Sequence, residues 1–139
     1  MLVIENEESL SKLKECTPYH FNAPLAILIC YDSSVSWKRH YDKKDMGDVD
    51  SSIVTTQMML EIANLGLGTT WVGHFSLELI KEKFNLPEYF VPVALLPIGY
   101  PSEDSVPNKL HNIRHDIQET VFFNSFEGIK PGKNKTTDH

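Results

Sequence analysis

Apolar residues fall into two patterns along the chain: continuous runs and recurrences at helical spacing. The runs Pro24–Tyr31 and Val91–Ile98 have strand length, and unbroken runs of this kind are typical of strands buried on both faces. Shorter strands are predicted at Leu2–Ile4 and Thr69–Phe75. Helices are predicted, in chain order, at Asn6–Glu15, from Asp48 to about Leu65, and after Ser76. This alternation is typical of an α/β or α+β sheet with helices on its faces.

The longest predicted helix has recognisable signals at both ends. Asp48 is a residue type that favours the N-cap position, and Gly66 follows the last helical residue, where glycine is preferred. Its apolar residues, among them Ile53 and Leu60, lie on more than one face. A helix that faces water on one side needs only one apolar stripe. We therefore expect a central helix, or one that also contacts a partner subunit.

Three other segments are less regular. Pro97 predicts an end or edge position for its strand, because proline has no N–H to donate to a neighbouring strand. The polar segment Ser33–Gly47 is predicted to be a loop or short surface helix, and Ile117–Phe123 is predicted to be extended. One domain is expected over residues 1–126, followed by a flexible polar tail over residues 127–139.

The composition excludes several classes of protein. The 139 residues carry a formal net charge of −6, whereas proteins that bind nucleic acid normally present a basic face. No apolar run approaches the ~20 residues of a membrane-spanning helix, and the N-terminus does not resemble a signal peptide. Cys16 and Cys30 lack the spacing of a redox or zinc motif. We therefore expect a cytoplasmic protein with reduced thiols that binds neither nucleic acid nor membrane.

Two short glycine motifs suggest ligand binding, and each also has a simpler explanation. The segment Gly66–Gly68 is not a dinucleotide-binding fingerprint, because that motif needs a strand before it and a helix after it. Here the order is reversed, and a helix C-cap explains the glycines. In the segment Trp71–Phe75, Gly73 could let a flat ligand approach the backbone closely. Core packing of the aromatic residues beside an exposed His74 would explain the same pattern.

Candidate catalytic side chains are sparse. Lys109 and Arg114, with His111 and His115 nearby, could bind a phosphate, since a guanidinium donates two hydrogen bonds at once. A solvated loop would explain the same residues. The histidines have no metal-ligand spacing, and no G-x-S-x-G nucleophile motif is present. The residues alone therefore predict an α/β-type domain with a candidate ligand site in the segment Gly66–Phe75.

Three longer stretches carry a family resemblance. They are DVDSSIVTTQMMLEIANLGLGTTWVGHF from residue 48, LPEYFVPVALLPIGYPSED from residue 86 and IRHDIQETVFF from residue 113. Together with Asn22-Ala23-Pro24, they resemble the C-terminal half of the nitroreductase family of FMN-dependent enzymes. The resemblance covers roughly residues 1–126.

This resemblance implies a fold, an assembly and a cofactor site. The implied fold is an α+β class α/β/α sandwich, with a mixed or antiparallel central sheet flanked by helices. The implied assembly is an intertwined homodimer in which the helix Asp48–Leu65 contacts its partner and FMN lies at the interface. The implied ring contacts come from the backbone of Trp71, Val72, Gly73 and His74. Arg114 would reach the FMN phosphate, with Lys109 as a second candidate.

The implied activity belongs to the flavin and not to a catalytic side chain. Electrons would pass from NAD(P)H through FMN to a nitroaromatic, a quinone or a similar small acceptor. The residues that would contact the acceptor do not distinguish this activity from reductive dehalogenation or flavin destruction on the same scaffold.

One departure from the family pattern leads to an alternative function. Family members normally begin with an Arg-Arg-Ser/Thr-x-Arg type motif that binds the FMN phosphate, followed by a Pro-Ser-x-x-Asn-x-Gln-Pro-Trp stretch. This sequence opens at Leu2-Val3-Ile4, which resembles the strand that follows them. We therefore expect an N-terminally truncated member. The alternative to an FMN enzyme is a flavin-free, catalytically inactive dimeric remnant or interaction module.

Overall fold

The computed structural model describes residues 1–127, and the chain divides into two units, Met1–Glu103 and a second unit that begins at Asp104. The elements of the first unit are, in chain order, β1 (Leu2–Ile4), α1 (Glu7–Cys16), β2 (Leu25–Asp32), α2 (Gly47–Asn64), β3 (Gly68–Thr69), α3 (Leu77–Lys83) and β4 (Phe90–Gly99). They follow the predicted order of strands and helices.

The four strands form one sheet in the order β1-β2-β4-β3, and every neighbouring pair is antiparallel. β2 and β4 are the central strands, with Leu28 opposite Leu95 near the middle. The two predicted apolar runs therefore form the centre of the sheet, where both faces of a strand are covered. An antiparallel sheet combined with helices confirms the predicted α+β class.

Helices cover both faces of the sheet, which gives the first unit three layers. The core on the face of α1 and α3 consists of Ile4, Leu13, Cys16, Ala26, Leu28, Val72, Ile80 and Leu95. The core on the face of α2 consists of Ile29, Ile62, Ala94, Leu96 and Ile98. Successive residues of β4 alternate between the two cores, because neighbouring side chains of a strand point to opposite faces. This arrangement is the α/β/α sandwich implied by the resemblance.

The start of α2 differs from the prediction. The helix begins at Gly47, and the residue at its N-cap position is Met46, which makes no side-chain capping bond. Asp45 binds the helix start instead, because its Oδ1 accepts the Gly47 N–H at 2.8 Å. Its Oδ2 accepts the Ser36 hydroxyl at 2.6 Å. The prediction of Asp48 as N-cap is therefore wrong, and Asp48 lies in the first turn, where the helix dipole favours a negative charge.

The end of α2 is as predicted. Gly66 has a φ of 75°, the left-handed conformation that favours glycine at this position. Its N–H donates to the Ala63 carbonyl at 3.0 Å, and the Leu67 N–H donates to the Ile62 carbonyl at 3.1 Å. These two bonds form a Schellman motif, which satisfies carbonyls that the helix leaves unpaired. Gly66 therefore ends a helix, in keeping with the rejection of a dinucleotide fingerprint.

The predicted strand Thr69–Phe75 is shorter than expected. β3 ends at Thr69, and only Val72 pairs again with β4, opposite Leu95. On β4, Pro97 lies between Ile98, which pairs with Thr69, and Leu95, which pairs with Val72. Residues two apart in a strand direct their backbone groups to the same side, so those of Pro97 face the same neighbour as those of Leu95. Since proline has no N–H, the backbone hydrogen bonds between β4 and the chain that contains β3 and Val72 are interrupted at Pro97. Pro97 lies two residues before the end of β4, in agreement with the predicted end position. The alternative of an edge strand is wrong, because the interruption lets a central strand accommodate the proline.

Within residues 104–127, the second unit has one short helical element, α4 (Ile117–Thr120). Asp116 caps it by accepting the Gln118 N–H at 2.9 Å. The predicted extended segment Ile117–Phe123 is therefore wrong over its first half, since a local cap favours a helical turn there. Of the predicted tail, residues 128–139 lie outside the described part of the chain, and the single domain over residues 1–126 remains a prediction.

Candidate functional site

The segment Trp71–His74 connects β3 to α3 and is anchored at one residue. Val72 is buried, its N–H donates to the Leu95 carbonyl at 3.0 Å, and its carbonyl accepts the Leu95 N–H at 2.9 Å. Trp71, Gly73 and His74 are exposed on either side of it. One buried residue thus fixes the path of a segment whose other members face outward.

The backbone at Gly73 is open to a ligand. Among the described residues, a Cβ placed on Gly73 would have the Trp71 Nε1 atom at 3.9 Å as its only neighbour within 4 Å beyond the adjacent residues. Within residues 1–127, neither the Gly73 N–H nor the His74 N–H donates a hydrogen bond to the protein. We call Gly73 and His74 with their two N–H groups the backbone shelf. These two N–H groups have no protein acceptor among the described residues, and Gly73 has no side chain that would keep a flat molecule away from the backbone.

The loop after α1 is bonded to this shelf. The Thr17 side chain is buried, and its hydroxyl donates to the His74 carbonyl at 2.6 Å. The same oxygen accepts the Tyr19 N–H at 3.1 Å. In addition, the Ser76 N–H donates to the Cys16 carbonyl at 2.9 Å. The shelf is therefore held from both sides, by Leu95 of β4 and by the loop that follows α1.

The contribution of this loop is not visible in the sequence pattern. Tyr19 and His74 make an edge-to-face ring contact with centroids 5.5 Å apart, although 55 positions separate them in the chain. The segment from Pro18 to Pro24 contains no predicted site residue. Its two aromatic residues are the signal that could have drawn attention to it, because exposed aromatic side chains often mark binding sites.

Arg114 lies in the second unit, whereas Trp71, Val72, Gly73 and His74 come together in the first. Its Nη1 atom donates to the carbonyls of His111 and Ile113, each at 2.8 Å. Among the described residues, no carboxylate forms an ion pair with Arg114. Its side chain is exposed, as is that of Lys109. The guanidinium charge is therefore available for an anionic group.

The remaining candidate chemistry gives no second site. Burial raises the pKa values of the Cys16 and Cys30 thiols, which disfavours the reactive thiolate. His115 contacts Glu119 at 3.2 Å. Within residues 1–127, no group of three His, Cys, Asp or Glu side chains could hold a metal ion. None of the helices there is long and apolar enough to cross a membrane.

Comparison with known proteins matches most of the chain to one family. The family model described as "Nitroreductase family" matches residues 4–100. A relative from Methanothermobacter thermautotrophicus, which carries the provisional name NADH dehydrogenase/NAD(P)H nitroreductase, is 34% identical over 115 residues. That alignment covers 74% of this chain and 55% of the relative, so the chain spans about half of the relative's length.

Solved structures agree with the sequence comparison. A nitroreductase family protein from Clostridium difficile 630 is 37% identical and superposes with a TM-score of 0.81, covering 89% of this chain and 72% of that one. An FMN-dependent nitroreductase from Clostridium difficile R20291 is 26% identical with a TM-score of 0.68, covering 90% and 74%. The family match over residues 4–100, supported by these structures, shows that the chain belongs to the nitroreductase family.

Proposed function

We propose that this chain is part of an FMN-dependent oxidoreductase that moves electrons from NAD(P)H through FMN to a nitroaromatic, a quinone or a similar small acceptor. Family membership supports a flavoprotein oxidoreductase. The names of two relatives include NAD(P)H nitroreductase and FMN-dependent nitroreductase, which supports the donor and the cofactor. Cytoplasmic location, predicted from the sequence, is part of the same proposal.

The backbone shelf is the observation on which this proposal chiefly rests. A flavin ring is flat, and its edge carries nitrogen and oxygen atoms that accept hydrogen bonds. The unbonded N–H groups of Gly73 and His74 supply donors, and the open space at Gly73 admits a ring against the backbone. The residues present therefore fit the ring of FMN, and such hydrogen bonds would both orient it and tune its electronics.

Arg114 has the chemistry of a phosphate ligand. Its guanidinium is exposed and has no carboxylate partner within the described residues, so it can donate charge-assisted bonds to a phosphate. Lys109 offers a single ammonium charge and would be the weaker phosphate ligand. We propose that the backbone of Trp71, Val72, Gly73 and His74 contacts the FMN ring and that Arg114, as the family resemblance implies, binds the phosphate.

Bound FMN would supply the redox chemistry, hydride acceptance from NAD(P)H and electron delivery to the acceptor. The protein's part in this proposal is binding and orientation. Val72 anchors the shelf to β4, Thr17 holds the His74 carbonyl, and the Gly73 and His74 N–H groups fix the ring edge. No side chain in this proposal acts as an acid or a nucleophile.

The proposed assembly is a homodimer formed through α2. Val49, Ile53 and Leu60 are exposed along one side of this helix, while its opposite side packs on the sheet through residues that include Thr55 and Ile62. Positions 49, 53 and 60 fall within a narrow arc of a helix with 3.6 residues per turn. An exposed apolar stripe of this kind is typical of a protein interface, and an identical helix would cover it.

The proposal is tested by loading the purified protein with FMN, desalting it and recording its visible spectrum. Retention of a flavin band that NAD(P)H bleaches without air is the expected result. Gly73→Val places a branched side chain on the shelf and should abolish retention, whereas Thr70→Val changes an exposed neighbour outside the shelf and should not. A folded wild-type protein that retains no flavin would contradict the proposal and support the flavin-free remnant.

A further inference from the structure

The hydroxyl group of Thr17 is buried and bonds a segment that is distant in the sequence. Among the described residues, the buried polar side chains are Thr17, Ser51 and Thr55. Ser51 and Thr55 lie in α2, where the Thr55 hydroxyl donates to the Ser51 carbonyl at 2.7 Å. The Thr17 hydroxyl instead donates to the His74 carbonyl at 2.6 Å, across 57 positions of the chain. Valine would fill the same space without a polar atom that burial penalises, so packing alone does not explain a threonine here.

The hydroxyl is held by two bonds of opposite sense. Because a carbonyl oxygen can only accept, Thr17 donates its hydroxyl proton to His74. Its oxygen then accepts the Tyr19 N–H at 3.1 Å. Thr17→Val would leave both the carbonyl and the N–H without this partner, whereas Thr17→Ser would keep both bonds. These two variants therefore separate the effect of the hydroxyl from that of the side chain's shape.

The bond from Thr17 holds the open part of the backbone shelf. Before the shelf, Val72 is bonded to β4, and after it the Ser76 N–H is bonded to the end of α1. Between these two anchors, the bond from Thr17 is the only hydrogen bond that a backbone group makes within residues 1–127. Without it, the backbone from Gly73 to Phe75 would have no hydrogen bond to the described protein. Glycine has the greatest backbone freedom of any residue, so the two shelf N–H groups would lose their fixed direction.

We propose that Thr17 is a positioning residue for the flavin, which acts through the His74 carbonyl and stabilises the reduced ring more than the oxidised one. This inference rests on the proposed function, because it requires the shelf to bind the ring edge. Reduction by hydride transfer from NAD(P)H adds two electrons to the ring, so its edge atoms become more electron-rich. N–H groups that are already oriented stabilise such added charge without having to reorganise. Thr17 therefore raises the reduction potential of the bound flavin.

The first test uses the protein without flavin, so that it measures the shelf itself. The carbonyl carbon shift of His74 and the backbone order parameters of Gly73 and His74 are recorded by NMR. In Thr17→Val, the carbonyl shift should change because its hydrogen bond is lost. The order parameters should fall from about 0.85 to below about 0.6, the values of rigid and flexible backbone. Thr17→Ser should resemble the wild type, and an unchanged shelf in Thr17→Val would overturn the proposal.

Thr55→Val is the matched control. Thr55 is buried like Thr17, and its hydroxyl also donates to a backbone carbonyl, but that carbonyl belongs to Ser51 in α2. The variant loses the same kind of bond without removing an anchor of the shelf. The order parameters of the shelf and the flavin potential should therefore keep their wild-type values. Equal changes in Thr17→Val and Thr55→Val would overturn the assignment, because they would show a general loss of stability.

The second test uses the protein loaded with FMN. The affinity for oxidised FMN is measured by flavin fluorescence, and the two-electron reduction potential is measured by equilibration with a reference dye. In Thr17→Val, binding of reduced FMN should weaken about tenfold more than binding of oxidised FMN, which lowers the potential by about 30 mV. Thr17→Ser should restore the potential. Thr17→Ala removes the same hydroxyl with less apolar bulk and replaces Thr17→Val if that variant does not fold.

The two proposals can fail separately. If Thr17→Val loosens the shelf but the bound flavin keeps its potential, the hydroxyl has only a structural role. That result would overturn the inference, although the proposed function would stand. If the wild type retains no flavin, the proposed function fails and the inference fails with it.

Discussion

The ring of Tyr31 lies directly against the backbone of Gly47. A Cβ placed on Gly47 would be only 2.6 Å from Tyr31 Cγ, well inside the closest approach of two carbon atoms. Gly47 is the first residue of α2, and Tyr31 is near the end of β2. This contact therefore fixes the start of the long helix against a central strand, and it requires a residue without a side chain.

Gly47→Ala should destabilise the first unit. The Cγ atom of Tyr31 moves only with rotation about χ1, so the ring cannot yield to an added methyl group without leaving its position. Overpacking of this kind costs about 1–3 kcal/mol in the free energy of unfolding, measurable by urea denaturation. Gly73→Ala is the matched control and should have a much smaller effect, since a Cβ there meets only the Trp71 Nε1 atom among the described residues, at an ordinary contact distance of 3.9 Å. In a Tyr31→Leu background, the penalty of Gly47→Ala should shrink; an unchanged penalty would show that the ring is not its cause.

The contact between Tyr31 and Gly47 also explains which part of the fold could be predicted. Gly66 and Ser76 mark helix ends through bonds to residues close in sequence, and these ends are where the sequence places them. Asp48 was predicted as the N-cap of α2 because its residue type favours that position. The helix starts earlier, because a distant ring packs on Gly47 and Asp45 binds its N–H. Sequence patterns do not contain such contacts.

In the candidate site too, local features can be predicted from the sequence and contacts between distant residues cannot. The segment Trp71–His74 stands out in the sequence through its glycine and aromatic residues. The bond from Thr17 to the His74 carbonyl joins residues 57 positions apart, and nothing near Thr17 in the sequence indicates it. Pro97 misled the prediction for a related reason, because its tolerance in a central strand depends on how β3 pairs beyond Thr69.

Asp45 should make the start of α2 sensitive to acid. The Ser36 hydroxyl, followed by the Gly47 N–H, holds the pKa of the Asp45 carboxyl below its ordinary value. A carboxyl whose pKa is lower in the folded state stabilises the protein above the pKa it has when unfolded, about 4. That stabilisation is lost as the pH falls from there through the folded pKa.

Ser36→Ala should therefore raise the pKa of Asp45, as measured from the NMR shift of its carboxyl carbon across the titration. Asp45→Asn should flatten the acid limb of the pH-stability curve relative to wild type. Ser34→Ala is a control in the same loop, since the Ser34 hydroxyl bonds Asp32 and not Asp45. An unshifted Asp45 titration in Ser36→Ala would contradict the role given to the hydroxyl.

Arg114→Gln should weaken FMN binding without affecting binding of the flavin ring. A charge-assisted hydrogen bond is worth about 1.5–3 kcal/mol, which corresponds to a loss of affinity of about 10- to 150-fold. The dissociation constant is measured by quenching of flavin fluorescence on titration with protein. Riboflavin lacks the phosphate, so its affinity should be the same for the wild type and the variant. Lys109→Gln is the matched control and should cost less. Equal losses for FMN and riboflavin would show that Arg114 does not act on the phosphate.

Ile53→Asp should dissociate the proposed homodimer and leave the protomer folded. Ile53 is 58% exposed in the single chain, so a charge there meets water in a monomer but would be buried without a partner in the dimer. Sedimentation velocity should show a dimer for the wild type and a monomer for the variant, with unchanged far-UV circular dichroism.

Val54 is the next residue and is 46% exposed, but it points about 100° away around the helix axis. Val54→Asp introduces the same charge beside the stripe and should leave the dimer intact. A folded wild-type monomer would refute the interface, and equal dissociation by both variants would refute its assignment to Val49, Ile53 and Leu60.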